Sequence, residues 1–410
     1  MPQYIAVVGT LDTKGDQVKY IKKRIEEEGQ KTCVIDFGVV GDAPFKPNYD
    51  RHQVAQAAGT TIEGILGMKD RRAGLEKMGD GAAAIVKTLH DKGKLAGVVA
   101  AGGSQATTVS LQIMKTVPLG IPKLLLTTIA FSPVIIPDIT GGNDCMMLPW
   151  VAGLWGLNSL SKQSLDTAAA AIAGAARAYM KRPASTKKVV GVSSLGGAVN
   201  RYMNELKPAL EKRGYEVAVF HVLGMPGRMF ERAISDGLIS VSLDLSAGVE
   251  LLNEITDGVY TAGKSRLEAA GEMGIPQIVS PGAIEAFHWG NDRPFPAKYK
   301  KRIYFWHTSL HRTIRSSARE MSAVGTLMAE KLNRAKGPTA VVLPLQGMGP
   351  MPSHLSSPEA DRELEKGWED FRQSIKKRLN KDVRYIELDV TFNDPIYTKT
   401  VLELFDEMTK

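Results

Sequence analysis

The sequence predicts an α/β protein of two Rossmann-like, doubly wound domains with mostly parallel sheets. Short apolar segments alternate with segments whose apolar residues recur every three or four positions, the rhythm of parallel strands joined by crossover helices. Several strand-like segments also end in glycine and a hydroxyl residue just before a helix. The rhythm breaks at KRPASTKK, 181–188, and then restarts. We therefore expect domains over 1–184 and 185–410, with a ligand cleft between them.

The first domain opens with an apolar strand at 4–8, followed by a helical face formed by Val18, Ile21 and Ile25. Strand-like and helix-like spacing continue to alternate after it, so the remaining elements follow by the same rule. Further strands are predicted at 32–37, 95–101, 123–129 and 134–136. Further helices are predicted at 52–68, 81–92, 107–114 and 159–181.

The second domain repeats this order of elements, although its residues do not repeat those of the first. Its strands are predicted at 189–192, 216–221, 238–245, 276–280, 303–307, 339–345 and 383–388. Its helices are predicted at 201–212, 228–235, 315–334 and 359–378.

Composition narrows the classes of function. The formal charge is +8, but the lysines and arginines are dispersed and no aromatic-basic motif is present, so we do not expect a nucleic-acid partner. Solvated surface and attraction for small anionic molecules account for this charge. No apolar run reaches the roughly 18 residues of a membrane helix. The two cysteines, Cys33 and Cys145, are too few for a disulfide scaffold, so we expect a cytoplasmic protein.

Glycine and hydroxyl residues follow the first and third predicted strands. Ligands of open parallel sheets bind beyond the carboxyl ends of the strands, where free backbone N–H groups and helix N-termini attract anions. We therefore predict a phosphate site in which Lys14 adds a charge and Asp12 or Asp36 holds Mg²⁺ through water. The candidate cofactor-binding residues are Gly9, Thr10, Asp12, Thr13, Lys14, Asp36, Gly102, Gly103, Ser104 and Thr107.

A purely structural interpretation of the same loops is also open. Thr13 would cap the first helix, with Asp16 three residues later completing an imperfect capping box. Gly102 and Gly103 would then form only a tight turn. The loops match neither the P-loop nor the Gly-x-Gly-x-x-Gly pattern.

Several longer motifs carry a family resemblance across nearly the whole chain. In order they are GTLDTKG, VIDFGV, the Gly-Gly-Ser loop, GYEVAVFH, AGKSRLEAAGEMGIPQIVSPGA, EKLNRAKGPTAVVLPLQG and a late NDP. Together they resemble the Tm-one-like ATP-binding domain family, related to the N-terminal part of the tomato mosaic virus resistance protein. The resemblance implies two Rossmann-like subdomains, a homodimer, and ATP binding by the first subdomain.

The resemblance also sets two expectations that concern partners and differences. A TIM-barrel domain follows in the plant protein, so a corresponding partner of this chain would be a separately encoded TIM-barrel protein. The family's first-domain loop usually reads Gly-Gly-Ser-Gly-Gly-Thr, whereas Gln105 and Ala106 replace two of those glycines here. Their side chains occupy space that glycine would leave open, so they affect how closely a phosphate can approach the backbone of the loop.

The second domain holds candidate catalytic residues at its own strand ends. His221 ends a predicted strand before a glycine-rich loop, and Glu285 and His288 follow a Pro-Gly turn after another. Their spacing of three would place Glu285 and His288 on one face of a helix. Histidine and glutamate suit general acid–base catalysis or, less strongly, metal binding. The structural alternative is a set of polar side chains that tie loops together.

Three functions are compatible with these residues. The first is an ATP-using enzyme that acts on a small carboxylate or carbonyl metabolite. The second is a regulatory protein that binds nucleotide without turnover and acts through a partner. The third is a lyase or hydrolase with acid–base chemistry in the second domain. Convergence of His221, Glu285 and His307 would favour an enzyme, since a binding module has no need of converging titratable groups.

Overall fold

The chain folds as two units, Met1–Ala184 and Ser185–Lys410. The computed structural model describes residues 2–135, 137–183, 186–195, 201–349 and 352–410, with the side chains of residues 137 and 138 left aside. The centre of the predicted linker, Ala184 and Ser185, lies outside the described residues.

Unit 1 contains a sheet of five parallel strands in the order β2-β1-β3-β4-β5. The chain places its second strand on one side of the first and then crosses over to continue on the other side. The carboxyl ends of β1 and β3 therefore flank the point where the strand order reverses, which is where open α/β sheets bind ligands. The strands are β1 (Tyr4–Gly9), β2 (Thr32–Asp36), β3 (Leu95–Gly102), β4 (Lys123–Thr127) and β5 (Met146–Pro149).

Helices cover both faces of this sheet. Successive residues of a strand point to opposite faces, so Ile5 and Val7 of the first strand pack in one core cluster while Ala6 and Val8 pack in another. The central strands β1 and β3 are accordingly almost entirely buried, as expected for a parallel sheet covered on both sides. The helices are α1 (Leu11–Glu27), α2 (Arg51–Ala57), α3 (Ile62–Leu66), α4 (Arg71–Asp91), α5 (Ser104–Lys115), α6 (Pro137–Thr140) and α7 (Ser159–Met180).

Unit 2 has two sheets. Its strands are β6 (Val189–Ser194), β7 (Glu216–His221), β8 (Val241–Asp244), β9 (Gln277–Val279), β10 (Ala286–Gly290), β11 (Tyr304–Trp306), β12 (His311–Arg315), β13 (Thr339–Pro344) and β14 (Arg384–Leu388). The large sheet has six parallel strands in the order β14-β13-β9-β8-β6-β7, so it reverses between β6 and β8 as unit 1 reverses between β1 and β3. The small sheet, β10-β12-β11, is antiparallel.

The helices of unit 2 are α8 (Met203–Lys212), α9 (Met225–Ser235), α10 (Ala247–Thr256), α11 (Ala269–Met273), α12 (Ala318–Leu332), α13 (Pro358–Arg378) and α14 (Pro395–Met408). Short 3₁₀ turns stand at Ala297–Tyr299 and Ser353–Leu355. In the part of the chain that the structure describes, no helix combines the length and the apolar character needed to cross a membrane.

The predicted fold class is confirmed, and three local predictions were wrong. The antiparallel sheet was missed, and with it the placement of Glu285 and His288, which lie before and within strand β10 rather than on one helix. The helix predicted at 315–334 begins at Ala318, because Ser317 caps it in a capping box. Strand β5 was also missed. At the strand predicted over 134–136, Val134 lies in a turn and Ile136 lies outside the described residues.

One buried arginine joins four elements of unit 2. The Arg266 guanidinium contacts Asp244 at the end of β8, Glu250 in α10 (Nε–Oε2 2.5 Å) and Glu231 in α9 (Nη1–Oε1 2.8 Å). Arg266 is 1% exposed. Glu231 in turn accepts the N–H groups of the three residues that open α11. Burial raises the pKa of Glu250 to about 7 and that of Glu231 above its ordinary range, and the positive charge of Arg266 opposes this effect on both acids.

We expect Arg266→Met to lower the free energy of unfolding of the protein by about 3–5 kcal/mol, because three carboxyl groups lose their buried counter-charge. Urea denaturation followed by circular dichroism measures this loss. The exposed Lys264 provides the matched control, and Lys264→Met should change the free energy by no more than about 0.5 kcal/mol. A loss below about 1 kcal/mol in Arg266→Met would contradict this account of the cluster.

Candidate functional site

A pocket of about 250 Å³ lies where the strand order of unit 1 reverses. We call it the unit 1 pocket. It brings together the loops that follow β1 and β3, as the sequence predicted, and adds residues that follow β2 and residues of α4. Its lining is Thr10, Asp12, Thr13, Lys14, Val39, Val40, Arg71, Leu75, Gly103, Ser104, Gln105 and Ala106.

Two helices begin at this pocket. Thr10 is the N-cap of α1 and Gly103 the N-cap of α5, and neither N-cap residue makes a side-chain cap hydrogen bond, although Asp36 Oδ1 accepts the first N–H of α1, at Leu11. Such an end carries a partial positive charge and N–H groups without helical partners. The alternative role for Thr13 is therefore wrong: α1 begins at Leu11, and the Thr13 hydroxyl pairs with that of Thr10 at 2.8 Å.

The two aspartates of the prediction differ in accessibility. Asp36 is 1% exposed, and its Oδ1 accepts the N–H groups of Leu11 and Gly38 at 3.0 and 2.9 Å. Burial raises the pKa of Asp36. Asp12 lines the pocket: its Oδ2 accepts Val40 N–H at 2.6 Å, while its buried Oδ1 has no partner among the described residues. Asp12 therefore has a free acceptor oxygen, whereas Asp36 shapes the loop.

Lys14 is engaged by a neighbouring loop of unit 1. Its Nζ donates to the carbonyl oxygens of Gly153, at 3.0 Å, and Leu154, at 2.5 Å, and lies 5.5 Å from the centre of the Trp150 ring. Burial lowers its pKa. The backbone of Lys14 departs from helical geometry, at φ −128° and ψ 20°, which bends the first turn of α1 away from the rest of the helix. Lys14 lines the pocket and would exchange carbonyl oxygens for any anion that it binds.

Four predicted cofactor residues do not line the pocket. Gly9 and Gly102 allow close packing, since a Cβ on Gly102 would lie 2.4 Å from the Cβ of Ala106. Thr107 is buried and its hydroxyl pairs with that of Thr127 at 2.6 Å. The fourth is Asp36. Six predicted residues do line it: Thr10, Asp12, Thr13, Lys14, Gly103 and Ser104.

Sequence reasoning missed Arg71, Leu75, Val39 and Val40. Arg71 and Leu75 lie in the first turns of α4, in a region for which the sequence analysis predicted neither helix nor strand, and no sequence pattern connects them with the glycine loops. The two valines lie three and four residues after Asp36, in the segment that follows β2. The rule that ligands bind beyond strand ends could have included them, had apolar residues been considered.

A second pocket, of about 590 Å³, lies within unit 2, and we call it the unit 2 pocket. All three predicted catalytic residues line it, and so does His307. His221, Glu285 and His307 thus line one pocket of unit 2, while their position at an interdomain cleft and their catalytic role stay predictions. The lining is Leu195, Arg201, His221, Leu223, Val249, Ala283, Glu285, Ala286, His288, His307, Met348, Pro352, Leu355 and Asn393.

Glu285 is the most buried acid of this pocket. It is 3% exposed, and its Oε1 accepts the N–H of Met348 at 3.1 Å. Burial raises the pKa of Glu285, and the positive charge of Arg315 offsets only part of that effect. A carboxyl group with a raised pKa can act as a proton donor.

His288 belongs to a cluster of aromatic and imidazole rings. Its ring centre lies 5.1 Å from that of Tyr260 and 5.3 Å from that of His311, while His307 stacks on His311 at 5.0 Å. The Tyr260 hydroxyl and the His311 Nδ1 are 3.1 Å apart. Burial, and then repulsion from His311 and His307, lowers the pKa of His288 to about 3. His288 is therefore neutral at physiological pH. Within the described ranges the cluster does not form a metal-binding group.

The lowered pKa of His288 predicts that the contribution of this residue to the stability of the folded protein decreases in acid. An unfolded histidine takes up a proton near pH 6.5, but folded His288 resists protonation down to about pH 3. Its contribution to stability is thus complete above about pH 6.5 and is lost as the pH falls towards 3, by about 1.4 kcal/mol per pH unit. Glu250 and Glu285 give the opposite slope, so the test is a difference between proteins. We expect urea midpoints measured from pH 7 to 5 to fall less steeply in His288→Phe than in wild type.

The exposed His354 of unit 2 supplies the control for this measurement. Its side chain meets water in both the folded and the unfolded chain, so His354→Phe should keep the wild-type slope. Identical slopes for His288→Phe and wild type would contradict the neutral state of His288.

Comparisons with known proteins place this chain in a family. Residues 3–181 match the N-terminal domain, and residues 187–409 the C-terminal domain, of the Uncharacterised protein family (UPF0261). A UPF0261 protein of Clostridium tetani is 37% identical over 96% of both chains. The ToMV resistance protein Tm-1(GCR237) of Solanum lycopersicum is 27% identical over 86% of this chain and 48% of its own length.

The similarity between this chain and the solved structures is weak. A UDP-GlcNAc 2-epimerase from Methanocaldococcus jannaschii, in complex with UDP-GlcNAc and UDP, covers 99% of both chains at 9% identity and a TM-score of 0.23, which is too low to carry an argument. The family assignment rests instead on the match to both domain models and on the sequence identity with a relative along almost the whole chain. The resemblance noted from the motifs is confirmed, and the chain belongs to the UPF0261 family.

Proposed function

We propose that this protein binds ATP, with the phosphates of the nucleotide in the unit 1 pocket. The observation that carries the proposal is that α1 and α5 both begin at one pocket, and that neither of their N-cap residues makes a side-chain cap hydrogen bond. Each end offers backbone N–H groups and a partial positive charge, which together favour a phosphate. Lys14 and Arg71 add two cationic side chains, and Thr10, Thr13 and Ser104 add hydroxyl donors. This donor set suits a polyphosphate better than a neutral ligand.

The size of the pocket indicates which part of a nucleotide it holds. Its volume of about 250 Å³ lies below the roughly 300–1,000 Å³ of pockets that enclose drug-sized ligands. We therefore place the phosphates inside it and the base against its apolar side. Val39, Val40 and Leu75 form that side, and Val40 is 63% exposed, which gives an aromatic base an apolar surface to cover.

Magnesium fits one of the two predicted aspartates. Mg²⁺ commonly keeps several waters and is held by one or two carboxylates together with substrate phosphates. The unpartnered Oδ1 of Asp12 lies at the pocket and can serve as such a ligand, directly or through water. Asp36 does not fit this role, because it lies away from the pocket lining and binds two backbone N–H groups. Bound Mg²⁺ would neutralise phosphate charge beside the otherwise repulsive Asp12 carboxylate.

Gln105 and Ala106 shape the pocket rather than fill it. Both line it, at positions where the family's loop usually has glycine. The Ala106 methyl group packs against Gly102, and this contact sets the start of α5. The exposed Gln105 side chain offers an amide donor at the same edge. A phosphate would therefore contact these side chains and would approach the backbone less closely than two glycines would allow.

The proposal extends to location and to use of the nucleotide. Cys33 and Cys145 are free, and burial raises the pKa of the two thiols to about 11 and about 12. Free cysteines suit a reducing compartment such as the cytoplasm.

Release of phosphate from ATP by the purified protein separates an ATP-using enzyme from a regulatory protein that only binds nucleotide.

We expect Lys14→Ala to weaken binding of Mg-ATP by about 1–3 kcal/mol, because a charge-assisted contact is lost. Calorimetric titration of the purified protein measures this change. Lys19 lies exposed on the same helix, and Lys19→Ala is the control that should retain wild-type affinity. Equal affinity in Lys14→Ala and wild type would remove Lys14 from the site, and a wild-type protein without affinity for Mg-ATP would refute the proposal.

Ser104→Asp separates folding from binding. Ser104 is the first residue of α5 and is exposed, so a carboxylate there should stabilise the helix by roughly 0.3–1 kcal/mol while repelling phosphates. We expect unchanged or slightly higher resistance to urea and at least a tenfold loss of Mg-ATP affinity, measured on one preparation. The neutral Ser104→Asn should bind within about threefold of wild type. Full affinity in Ser104→Asp would place the phosphates elsewhere.

A further inference from the structure

The unit 2 pocket contains two buried polar side chains whose hydrogen-bonding capacity is only partly used. Glu285 has one hydrogen bond from another described residue, the Met348 N–H to its Oε1. The Nδ1 of His288 is buried and has no partner among the described residues. Both side chains line the cavity of about 590 Å³. Buried polar groups are normally satisfied, so an unused pair in one cavity points to a ligand that completes it.

The pocket lining also has an apolar part. This part consists of Leu223, Val249, Met348 and Leu355, which are contributed by the segments that follow β7, β8 and β13. The cavity is large enough to enclose a small metabolite. A ligand that fits both the polar and the apolar part has one polar end and an aliphatic body.

The protonation states of the polar part define that polar end. Neutral imidazole has one N–H to donate and a neutral carboxyl group has one O–H, and burial shifts the pKa of His288 and of Glu285 towards these neutral forms. Two donors that face one cavity are matched by a group with two acceptor oxygens. A carboxylate is the simplest such group.

We propose that the unit 2 pocket binds a small aliphatic carboxylate, whose two oxygens accept hydrogen bonds from Glu285 and His288 and whose hydrocarbon body packs on the apolar part. This site is separate from the ATP site proposed for unit 1 and does not depend on it.

The charges at the rim agree with an anionic ligand. Arg201, His221 and His307 line the pocket and are exposed, so an entering carboxylate meets one permanent cation and two titratable imidazoles. Val249 lies in the first turn of α10, a helix that has no side-chain cap, so its positive end faces the same cavity. A cationic amine would meet repulsion from these groups, although Glu285 alone could accept it.

Calorimetry with four small probes tests the proposal on the full-length protein. Butyrate has both the carboxylate and the aliphatic body, acetate lacks the body, butyramide lacks the charge, and butylamine reverses it. At pH 6 we expect butyrate to bind at least tenfold more tightly than each of the other three. Glu285→Gln and His288→Phe should each weaken butyrate binding at least fivefold at pH 6. The exposed Glu359 provides the control, and Glu359→Gln should leave the affinity unchanged.

The pH dependence identifies the group that contacts the carboxylate. Ionised Glu285 would repel the ligand, so wild-type affinity for butyrate should fall as the pH rises above the ordinary range of a glutamate and Glu285 loses its proton. The other titratable or charged groups that face Glu285 are Arg315 on β12, His288 on β10, and the rim residues His221 and His307. Glu285→Gln keeps all of them and should lose most of this pH dependence.

Three outcomes would overturn the proposal. One is equal affinity for butyrate and butyramide, since the pocket would then be a general apolar cavity. Another is tighter binding of butylamine, which would make Glu285 a cation site. The third is no heat of binding with up to 20 mM butyrate or hexanoate, provided that circular dichroism shows the protein to be folded.

Discussion

The reversal of strand order within each parallel sheet is the constraint on which the rest of this molecule depends. In unit 1 the chain leaves β1 for β2 on one side and later returns to β3 on the other, and unit 2 repeats this with β6, β7 and β8. Right-handed crossovers then place the connecting helices on opposite faces of the sheet. The loops at the reversal point separate, and the crevice between them receives helix N-termini. The unit 1 pocket lies at that point, and the unit 2 pocket is lined by segments that follow strands on both sides of its reversal.

The same topology produces pockets of different chemistry. In unit 1 the charged and hydroxyl side chains of the strand ends remain at the pocket, where Lys14, Arg71 and Asp12 line it. In unit 2 the carboxylate at the end of β8, that of Asp244, binds Arg266 within the buried cluster. The small antiparallel sheet supplies His288 in its place, and Glu285 precedes that sheet. Burial shifts the pKa of these two groups towards their neutral forms.

Several residues of the recognisable motifs have structural roles that support the pockets. Arg266, within AGKSRLEAAGEMGIPQIVSPGA, fixes the relative positions of β8, α9, α10 and α11. Asp36, within VIDFGV, binds the first N–H of α1 and so orients the GTLDTKG loop. Lys14 connects that loop to the segment after β5. A motif can therefore identify a family while many of its residues act through the positions of others.

The sequence by itself determined the two-unit α/β class and the positions of most strands and helices, because apolar periodicity and glycine punctuation are local properties of the chain. It also determined that the loops after β1 and β3 meet, since parallel strands bring their carboxyl ends to one edge. Tertiary structure alone decided that Arg71 and Leu75 complete the unit 1 pocket, because a helix far along the chain packs there through contacts that leave no periodic signal. It also decided that Glu285 and His288 stand before and within an antiparallel strand, since three short strands pair with each other through non-local hydrogen bonds. Burial by neighbouring elements then shifts the pKa of both side chains towards their neutral forms, and burial depends on packing that the sequence pattern does not contain.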